Sequence, residues 1–380
     1  MRIAIVTETF LPSTDGVVTR LTQAIKHFRS KEHEVLVVAP DLGVYEYEGA
    51  KVIGIKPITL PFYRYRPFTL PSKEVKGVLE NFQPDIVHAA NPILLAASGV
   101  HYAKKLDYPL IATYHTHVPK YMDYYWVYKP AKPIVWHHIK KLHHAADLNL
   151  CTSEAIKKEL HEKKFHNLHV LQRGVDIHSR HPKFYDEQMR DYLTNGEKSK
   201  KLLVFIGRLA IEKEVHKIKP LLEARSDIAL AIIGDGPSRQ ELEKTFKNTN
   251  TVFTGFLHGE ELSKAFASAD AFIFPSVTET LGLVILEAMA SGLPVVAAKS
   301  GPTLEQVKDE ETGLLFENED VNSMIQAVNK LDNQELLQQM KQKARIEAEK
   351  YAWENASQQL LDYYQETIEI HNHTKIMAAQ

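Results

Sequence analysis

The chain has 380 residues, long enough for two domains that each bury a hydrophobic core. Its 46 basic and 48 acidic side chains nearly balance, so the composition does not point to nucleic acid and we expect no nucleic-acid partner. The single cysteine, Cys151, excludes an internal disulfide and fits a reducing compartment. No apolar run is long enough to span a membrane, and Met1–Val6 is too short for a signal-peptide core. We therefore expect a soluble or peripheral protein.

Short β-branched runs alternate with helical stretches along most of the chain, a pattern typical of parallel sheets built from βαβ units. The strands predicted in the first half are Arg2–Val6, Glu34–Val38, Lys51–Ile55, Ile86–Ala89, Leu110–Thr113, Leu148–Cys151 and Leu168–Leu171. The pattern restarts after a polar stretch, with strands predicted at Leu202–Ile206, Ala229–Ile233, Val252–Thr254, Ala271–Phe274 and Pro294–Ala298.

The polar stretch from His178 to Lys201 carries no strand signal, so the domain connection is predicted there or just before it, near Gly174. The fold class is α/β, with two doubly wound, Rossmann-like domains at residues 1–173 and 174–354. Such domains would face a central cleft at the carboxyl ends of their strands. One long helical pattern follows the last strand, from Ala344 to Tyr364. The final helix, about residues 355–372, is expected to pack back on the first domain, with a frayed tail beyond Ile368.

The segment from Ala271 to Pro294 gives the strongest functional signal. A buried strand leads into a polar loop with Glu279, and an apolar helix from about Leu281 carries Glu287 and ends at Gly292. Unpaired amides and the helix dipole at its start form an anion site. Glu287 interrupts an otherwise apolar helix, and a buried carboxylate needs a partner such as a ligand hydroxyl. The alternative is an ordinary strand–loop–helix unit in which Glu279 is a helix cap.

Two further loops of the second half follow predicted strands. Arg208 and Lys213 lie after the strand that ends at Ile206, at the mouth of the same sheet as Glu279, where two cations can hold a diphosphate. The alternative is a solvated basic loop. The turn from Gly234 to Pro237 is similar to a dinucleotide fingerprint but has Arg239 in place of the third glycine. This turn is better explained as shaping a loop beside a nucleotide.

In the first half, Gly16 follows the first strand and His115 and His117 follow the strand at Leu110–Thr113. Gly16 permits close approach of a ligand to the backbone, or belongs to a plain βα turn with Asp15 as cap. No Cys or Asp-x-Asp partner accompanies the two histidines, so we expect no metal and a hydrogen-bonding role for one of them. Most of the chain's 19 histidines, including His137, His138, His143 and His144, are predicted to lie on the surface.

Two segments of the first half mix aromatic and basic residues, residues 61–68 and 119–141. Rings at headgroup depth with cations toward anionic lipid suit a membrane interface. The residues expected to contact a membrane are Tyr63, Arg64, Tyr124, Tyr125, Trp126 and Lys129. A core helix with a solvated edge is the alternative, and single-stranded nucleic acid is disfavoured by the neutral charge.

Taken together, these motifs resemble the retaining glycosyltransferases of family four, which have the GT-B fold. The matching elements run in the family's order over nearly the whole chain, and the combination is specific where each element alone is not. They are Gly16, His115, Gly207-Arg208 with Lys213, Gly234 to Pro237, and Glu279 to Glu287.

The resemblance implies a sugar nucleotide in the second domain and a metal-independent reaction without a further cofactor. It implies catalytic roles for Glu279, at the donor sugar, and for His115, near the reacting sugar. Glu287 would contact the ribose, while Arg208 and Lys213 would contact the diphosphate. The residues expected at the donor are Gly16, Arg208, Lys213, Gly236, Thr280, Leu281, Gly282, Leu283 and Glu287.

Four stretches, at residues 114–119, 173–176, 234–237 and 275–284, resemble more narrowly the sulfoquinovosyltransferases of cyanobacteria and plastids. That group moves sulfoquinovose from UDP-sulfoquinovose to diacylglycerol. The resemblance therefore implies a UDP-sugar donor, a lipid acceptor and peripheral contact with a membrane, the thylakoid in particular, from the cytoplasm or the plastid stroma. A missing transit peptide would suit a cyanobacterial or plastid-encoded protein. Lys120 and Arg173 are candidates to bind the sulfonate.

One position departs from the family's pattern, because Pro302 stands where a second glycine is usual. Proline has no backbone N–H, so one amide expected near the donor is absent and the identity of the sugar is less well specified. The alternatives are a mannosyl- or glucosyltransferase that uses GDP-mannose or UDP-glucose on a lipid, and a non-catalytic sugar-nucleotide sensor with the same fold.

Overall fold

The computed structural model describes residues 1–60 and 63–379, without the side chains of residues 59–60, 63–67 and 378–379. The strands are β1 (Arg2–Thr7), β2 (Glu34–Pro40), β3 (Glu46–Tyr47), β4 (Ala50–Ile55), β5 (Ile58–Leu60), β6 (Tyr63–Phe68), β7 (Ile86–Ala90), β8 (Leu110–Tyr114), β9 (Leu148–Cys151), β10 (Leu168–Val170), β11 (Lys201–Ile206), β12 (Ile228–Ile233), β13 (Thr251–Gly255), β14 (Ala271–Phe274), β15 (Val295–Ala298) and β16 (Gly313–Phe316).

The α-helices, between which short 3-10 turns occur, follow the same alternation. They are α1 (Gly16–Ser30), α2 (Glu74–Phe82), α3 (Leu95–Leu106), α4 (Val118–Tyr121), α5 (Lys132–His144), α6 (Glu154–Glu162), α7 (Glu187–Leu193), α8 (Lys219–Ala224), α9 (Arg239–Thr245), α10 (Gly259–Ala267), α11 (Leu283–Ala290), α12 (Gly301–Leu304), α13 (Val321–Asn329), α14 (Gln334–Ala348) and α15 (Trp353–Ala379). None of these helices is both long and apolar enough to cross a membrane, over the residues that the structure describes.

The chain forms two compact units, of which the first contains Met1–Arg173 and Trp353–Gln380. Its main sheet has the strand order β10-β9-β8-β7-β1-β2-β4-β3, in which every pair except β3 with β4 is parallel. The strands are apolar on both faces, as expected for a parallel sheet covered by helices on each side. Leu360, Leu361 and Tyr364 of α15 pack in the same core as the first strand, so the last helix belongs to this unit.

The second unit, Gly174–Ala352, has a six-stranded sheet with the order β13-β12-β11-β14-β15-β16. All pairs in this sheet are parallel. The order reverses at β11, whose neighbours are β12 on one side and β14 on the other. In a doubly wound sheet the loops at the carboxyl end of such a switch point form the ligand crevice. The loops after β11 and β14 therefore occupy the position where this unit can bind a ligand.

The twelve strands predicted from the sequence are all present, within two residues at each end. Three features were missed: the edge strand β16, the two-residue strand β3, and the β5–β6 pair. The single helix predicted from Ala344 to Tyr364 is wrong, because α14 and α15 are separate helices. The intervening segment includes Ala352, which pairs with Val175 in an isolated parallel bridge. The expected fraying beyond Ile368 is also wrong, since α15 continues to Ala379.

Candidate active site

The loops after β11 and β14 are joined at the switch point of the second sheet. Lys213 forms an ion pair with Glu279, and both side chains are mostly buried, with 13% and 17% of their surface exposed. The hydroxyls of Ser276 and Thr278 donate to the carbonyl of Glu212 at 3.2 and 3.1 Å. The geometry therefore brings together two site residues that are 66 positions apart in the sequence.

Burial lowers the pKa of Lys213 to about 8, and the positive charge of Arg208 acts in the same direction. Arg208 itself forms an ion pair with Glu212, whose side chain is only 1% exposed while that of Arg208 is 42% exposed. Arg208 and Lys213 both lie in the loop after β11, and Glu212 of the same loop is a site residue that was not predicted. This buried carboxylate holds Arg208 at the surface of the loop.

The glycine turn after β12 packs directly on the loop after β11. A Cβ added to Gly234 would lie 2.0 Å from the carbonyl oxygen of Gly207, and one added to Gly236 would lie 2.3 Å from that of Leu209. The amide of Leu209 donates to the carbonyl of Asp235 at 2.9 Å. Gly236 therefore allows the close approach of two backbones, which matches the shaping role that the sequence indicated for this turn.

Helix α11 begins at the site immediately after Gly282, which has a φ of +73°. This left-handed conformation favours glycine and turns the chain so that the first amides of the helix are available. Thr280 and Leu281 are buried, so a ligand would meet backbone at this loop more than side chain. The buried side chain of Gln306 donates from Nε2 to the carbonyl of Leu281, which fixes the loop from the side of α12.

Glu287 has a protein partner that the sequence analysis did not identify. Arg180 Nε donates to Glu287 Oε1 at 3.2 Å. The side chain of Glu287 is 31% exposed, more than the apolar helix around it predicted. Burial nevertheless raises the pKa of Glu287, against the lowering effect of the Arg180 charge. The partner is 107 residues away in the sequence and follows no regular motif, so no local signal could have found it.

Pro302 lies in the first turn of α12, whose N-cap is Ser300. Ser300 and Thr303 form a capping box, in which each side chain accepts from the amide of the other. The first amides of a helix have no partner within the helix, so proline is accommodated here without loss of a helical hydrogen bond. The consequence of Pro302 for ligand binding stays a prediction.

In the first unit, His115 follows β8 and is mostly buried. Asn91 fixes its backbone, since the side-chain Oδ1 accepts from the amides of His115 and Thr116 at 3.1 and 2.9 Å. Burial lowers the pKa of His115 well below its ordinary value, and the Arg20 charge adds to this effect. The imidazole is therefore neutral at physiological pH.

His117 plays a different structural part, because its Nε2 lies 3.0 Å from Glu159 Oε1 and its Nδ1 lies 3.2 Å from the hydroxyl of Tyr114. No group of three or more His, Cys, Asp or Glu side chains that could hold a metal occurs in the described part of the chain. The prediction that His143 lies on the surface is wrong, because its side chain packs on Phe165 and bonds to Asn149 Oδ1 at 2.8 Å.

The loop between β1 and α1 ends at Asp15, and Gly16 is the first residue of the helix. Asp15 Oδ1 accepts from the amides of Val17 and Val18, each at 3.0 Å, so Asp15 is the helix cap. This is the plain βα turn that the sequence allowed as the alternative, although it does not exclude a ligand beside Gly16. The sequence analysis missed Glu8, whose carboxylate accepts from four amides at the start of α3, at 2.7 to 3.1 Å.

The two sulfonate candidates, Lys120 on α4 and Arg173 at the end of the first unit, are both half-buried. Of the membrane candidates, Trp126 has 83% of its surface exposed and Lys129 is exposed, whereas Tyr124 and Tyr125 are half-buried. The side chains of Tyr63 and Arg64 lie outside the described residues. Val127, Tyr128 and Ile134 are further exposed apolar side chains of the same segment, with exposures of 61%, 48% and 72%.

Comparisons with known proteins define the family. The model for Glycosyltransferase Family 4 matches residues 14–179, and the model for Glycosyl transferases group 1 matches residues 187–347. A sulfoquinovosyl transferase of Arabidopsis thaliana is 39% identical over 90% of this chain and 69% of its own length. A GDP-mannose-dependent alpha-mannosyltransferase of Mycolicibacterium smegmatis is 36% identical over 83% of this chain and 84% of its own length.

Solved structures agree on the fold. Sucrose-phosphate synthase from Thermosynechococcus elongatus superimposes with a TM-score of 0.77 at 18% identity, with 100% of both chains covered. The family models and relatives identify a glycosyltransferase, and the two parallel α/β units with this structural similarity identify the GT-B fold. The chain belongs to glycosyltransferase family 4.

Proposed function

We propose that this glycosyltransferase moves sulfoquinovose from UDP-sulfoquinovose to diacylglycerol, making sulfolipid. The observation that carries the proposal is the 39% identity to a sulfoquinovosyl transferase over 90% of the chain. The aligned region of 354 residues is longer than either unit, so it extends into both. The donor-binding role of the second unit remains part of the proposal.

In the proposed donor site, Lys213 and the first amides of α11 bind the diphosphate, with Arg208 adding charge from the loop surface. A diphosphate carries more negative charge than the single carboxylate of Glu279, so it competes for Lys213. When Lys213 turns to the diphosphate, Glu279 becomes available to accept hydrogen bonds from hydroxyls of the donor sugar. The ion pair between Lys213 and Glu279 supports this proposal, because it places both charged groups where one donor molecule would contact them.

The proposed reaction retains the configuration of the sugar and requires no metal. The bond between the anomeric carbon and the diphosphate breaks, and a bond forms to the hydroxyl oxygen of diacylglycerol. The hydroxyl proton passes to an oxygen of the departing phosphate, and Lys213 with the α11 amides stabilises the charge on UDP. Neutral His115 would contact the reacting sugar without adding a positive charge where positive charge develops.

For the sulfonate we propose Lys120 and Arg173, the two cations that the sequence singled out. For the lipid acceptor we propose contact between a membrane and the surface formed by Trp126, Val127, Tyr128 and Ile134, with Lys129 toward anionic headgroups. The exposure of these apolar side chains supports that contact, since exposed apolar patches mark sites of association. A thylakoid location, in a plastid or a cyanobacterium, follows only if the sulfolipid activity holds.

The second candidate is a mannosyltransferase that uses GDP-mannose on a lipid. Its support is the 36% identity to a GDP-mannose-dependent alpha-mannosyltransferase, and the departure at Pro302 leaves the donor sugar less constrained. A glucosyltransferase that uses UDP-glucose is a further variant of this alternative. A sugar-nucleotide sensor without transfer activity is disfavoured, because Arg208, Lys213, Glu279 and Glu287 are all present.

The direct test supplies the purified protein with diacylglycerol in vesicles and one donor at a time: UDP-sulfoquinovose, GDP-mannose or UDP-glucose. Lipid products are separated and identified by mass spectrometry. We expect product from UDP-sulfoquinovose. Product from GDP-mannose alone would replace the proposal with the mannosyltransferase, and tight donor binding without any product would favour the sensor.

A further inference from the structure

We propose that Arg180 is a positioning residue that orients Glu287 toward the ribose of the donor nucleotide. The inference rests on the proposed function, in which Glu287 accepts hydrogen bonds from ribose hydroxyls. It adds a residue from a different part of the unit, the loop that precedes α7. Because UDP and GDP carry the same ribose, it does not depend on which sugar or base the donor has.

Three contacts hold the Arg180 guanidinium in one place. Its Nε donates to Glu287 Oε1 at 3.2 Å, and its Nη1 donates to Ser263 Oγ on α10 at 3.0 Å. Its Cζ lies 5.4 Å from the centre of the Phe266 ring, an arrangement that favours a cation. The side chain is only 12% exposed. A planar guanidinium fixed on several sides loses little further entropy when it orients a carboxylate.

The backbone of the Arg180 loop is fixed as firmly as its side chain. Asp176 Oδ1 accepts from the amides of His178 and Ser179, each at 3.0 Å, and folds the loop locally. Arg345 Nη1 donates to the Arg180 carbonyl at 2.7 Å and to the Ala290 carbonyl at 2.5 Å, at the end of α11. The helix that carries Glu287 and the loop that carries Arg180 are therefore held together by two separate arginines.

The ion pair leaves acceptor capacity on Glu287. A carboxylate can accept about four hydrogen bonds on its two oxygens, and Arg180 provides one at Oε1. The 31% exposure of the Glu287 side chain leaves part of the carboxylate open to solvent, while Arg180 is covered. Arg180 thus contacts the carboxylate from the protein side and a ligand can contact it from the open side.

Arg180 also opposes the protonation of Glu287. Burial raises the pKa of Glu287 and the nearby Asp176 carboxylate raises it further, whereas the charge and hydrogen bond of Arg180 lower it. Among the described residues, Arg180 and Asp176 are the charged groups that act on Glu287. Without Arg180, only the two raising effects remain, so the carboxylate would gain a proton at a higher pH. A protonated carboxyl is a weaker acceptor for the ribose hydroxyls.

The test measures the Kd of UDP and of GDP by titration calorimetry between pH 6 and pH 8, on the full chain. The variants are Arg180→Gln, Arg180→Lys, Glu287→Gln and the double variant Arg180→Gln with Glu287→Gln. The matched control is Arg225→Ala, which removes an arginine–aspartate ion pair of the same unit, next to the amino end of β12. Thermal unfolding of each variant confirms that it is folded.

We expect Arg180→Gln to weaken the binding of both nucleotides, with a Kd roughly tenfold higher at pH 8. Relative to the natural protein, the loss should grow as the pH falls to 6, while Arg180→Lys restores the natural pH profile. The double variant should bind no more weakly than Glu287→Gln alone, because Arg180 acts through Glu287. Arg225→Ala should bind both nucleotides normally.

Natural affinity and pH profile in Arg180→Gln would overturn the inference, and so would full additivity of the two substitutions in the double variant. If the unchanged chain binds neither UDP nor GDP, the proposed function itself fails and the inference fails with it. If it binds them but transfers another sugar, only the choice of sugar fails and the role of Arg180 stands.

Discussion

Lys213 is the residue on which the proposed donor site depends most. It is a buried lysine whose positive charge is balanced by its ion pair with Glu279. Its pKa, lowered by burial to about 8, places the loss of its charge close to physiological pH. Lysine differs in this from arginine, which stays charged at every pH that a protein tolerates.

This property predicts a pH effect on nucleotide binding. Lys213 carries its charge below about pH 8 and loses it above, so the affinity for UDP should fall as the pH rises past that value. The fall approaches about tenfold per pH unit for a single required proton. Calorimetric Kd values for UDP between pH 6.5 and 9.5 test this. In Lys213→Arg the affinity should stay constant over that range, and an equal slope in both proteins would contradict the assignment.

Glu279 should matter for transfer and not for nucleotide binding. The substitution Glu279→Gln removes the carboxylate that competes for Lys213, so UDP should bind as tightly as before or more tightly. The transfer rate should fall roughly 100- to 1000-fold, because a group that contacts the reacting sugar is lost. Initial rates and UDP titrations separate the two effects. Glu223→Gln, which removes an exposed acid of α8, is the control and should transfer normally.

For individual residues, the sequence could predict which residue types meet at the carboxyl ends of the strands, because a βαβ chain brings successive loops to the same edge of the sheet. It could not predict their partners. The pairing of Glu287 with Arg180, the burial of Glu212 and the capping of α3 by Glu8 all depend on side-chain packing between distant segments. The histidines show the same limit, since His143 is buried against Phe165 in a helix whose sequence looks polar.

At the scale of elements, two glycine-containing loops set the shape of the site. The turn after β12 lies so close to the loop after β11 that a methyl group at Gly236 would clash with backbone. Gly236→Ala should therefore destabilise the second unit by about 1–3 kcal/mol, the usual cost of forced overpacking. Scanning calorimetry should show a lower midpoint for one transition. In Gly77→Ala the new Cβ on α2 meets nothing within 4 Å, so this control should be neutral or slightly stabilising.

The last helix is attached to the first sheet by a buried polar contact. His88 on β7 lies 2.7 Å from the hydroxyl of Tyr364 on α15 and 2.9 Å from that of Thr113 on β8. Tyr364→Phe should cost about 1–3 kcal/mol, because it leaves a buried ring nitrogen without its partner. Tyr363→Phe is the matched control, since its hydroxyl reaches the Val170 carbonyl only at 3.5 Å. Equal thermal midpoints for the two variants would show that the contact does not stabilise α15.

The sequence predicted most strands correctly because buried parallel strands are short β-branched runs with clear ends. It missed β16, whose Gly313 weakens the strand pattern but allows close approach to the backbone of Val295. It also joined α14 and α15 into one helix. The helical pattern continues in both, and only the pairing of the intervening segment with Val175 separates them.

At the scale of the whole molecule, basic and acidic side chains nearly balance. The segment around Trp126 combines exposed aromatic and aliphatic side chains with Lys129. The double variant Trp126→Ser with Lys129→Glu should float less well with vesicles that contain anionic lipid. It should leave transfer to a detergent-dispersed acceptor nearly unchanged.

The control for this prediction is Tyr45→Ser with Lys51→Glu, an exposed aromatic and lysine elsewhere on the same unit. It should float as well as the natural protein. Equal flotation of both double variants would contradict the proposed membrane surface. If high salt by itself abolished vesicle binding, the lysine would be the main contributor to it. Salt screens the attraction between charges but does not prevent burial of the ring.

Family and fold follow from motifs spread over both units, but the donor sugar does not. Hydroxyl-binding residues such as Glu279 serve many hexoses, and a lysine and an arginine, such as the candidates Lys120 and Arg173, bind many anions besides a sulfonate. The most direct measurement is therefore a competition in one vessel, with UDP-sulfoquinovose, GDP-mannose and UDP-glucose at equal concentration and diacylglycerol in anionic vesicles. Mass spectrometry of the lipids should show sulfoquinovosyldiacylglycerol as the main product. Mannosyl or glucosyl lipid in its place would contradict the proposed function.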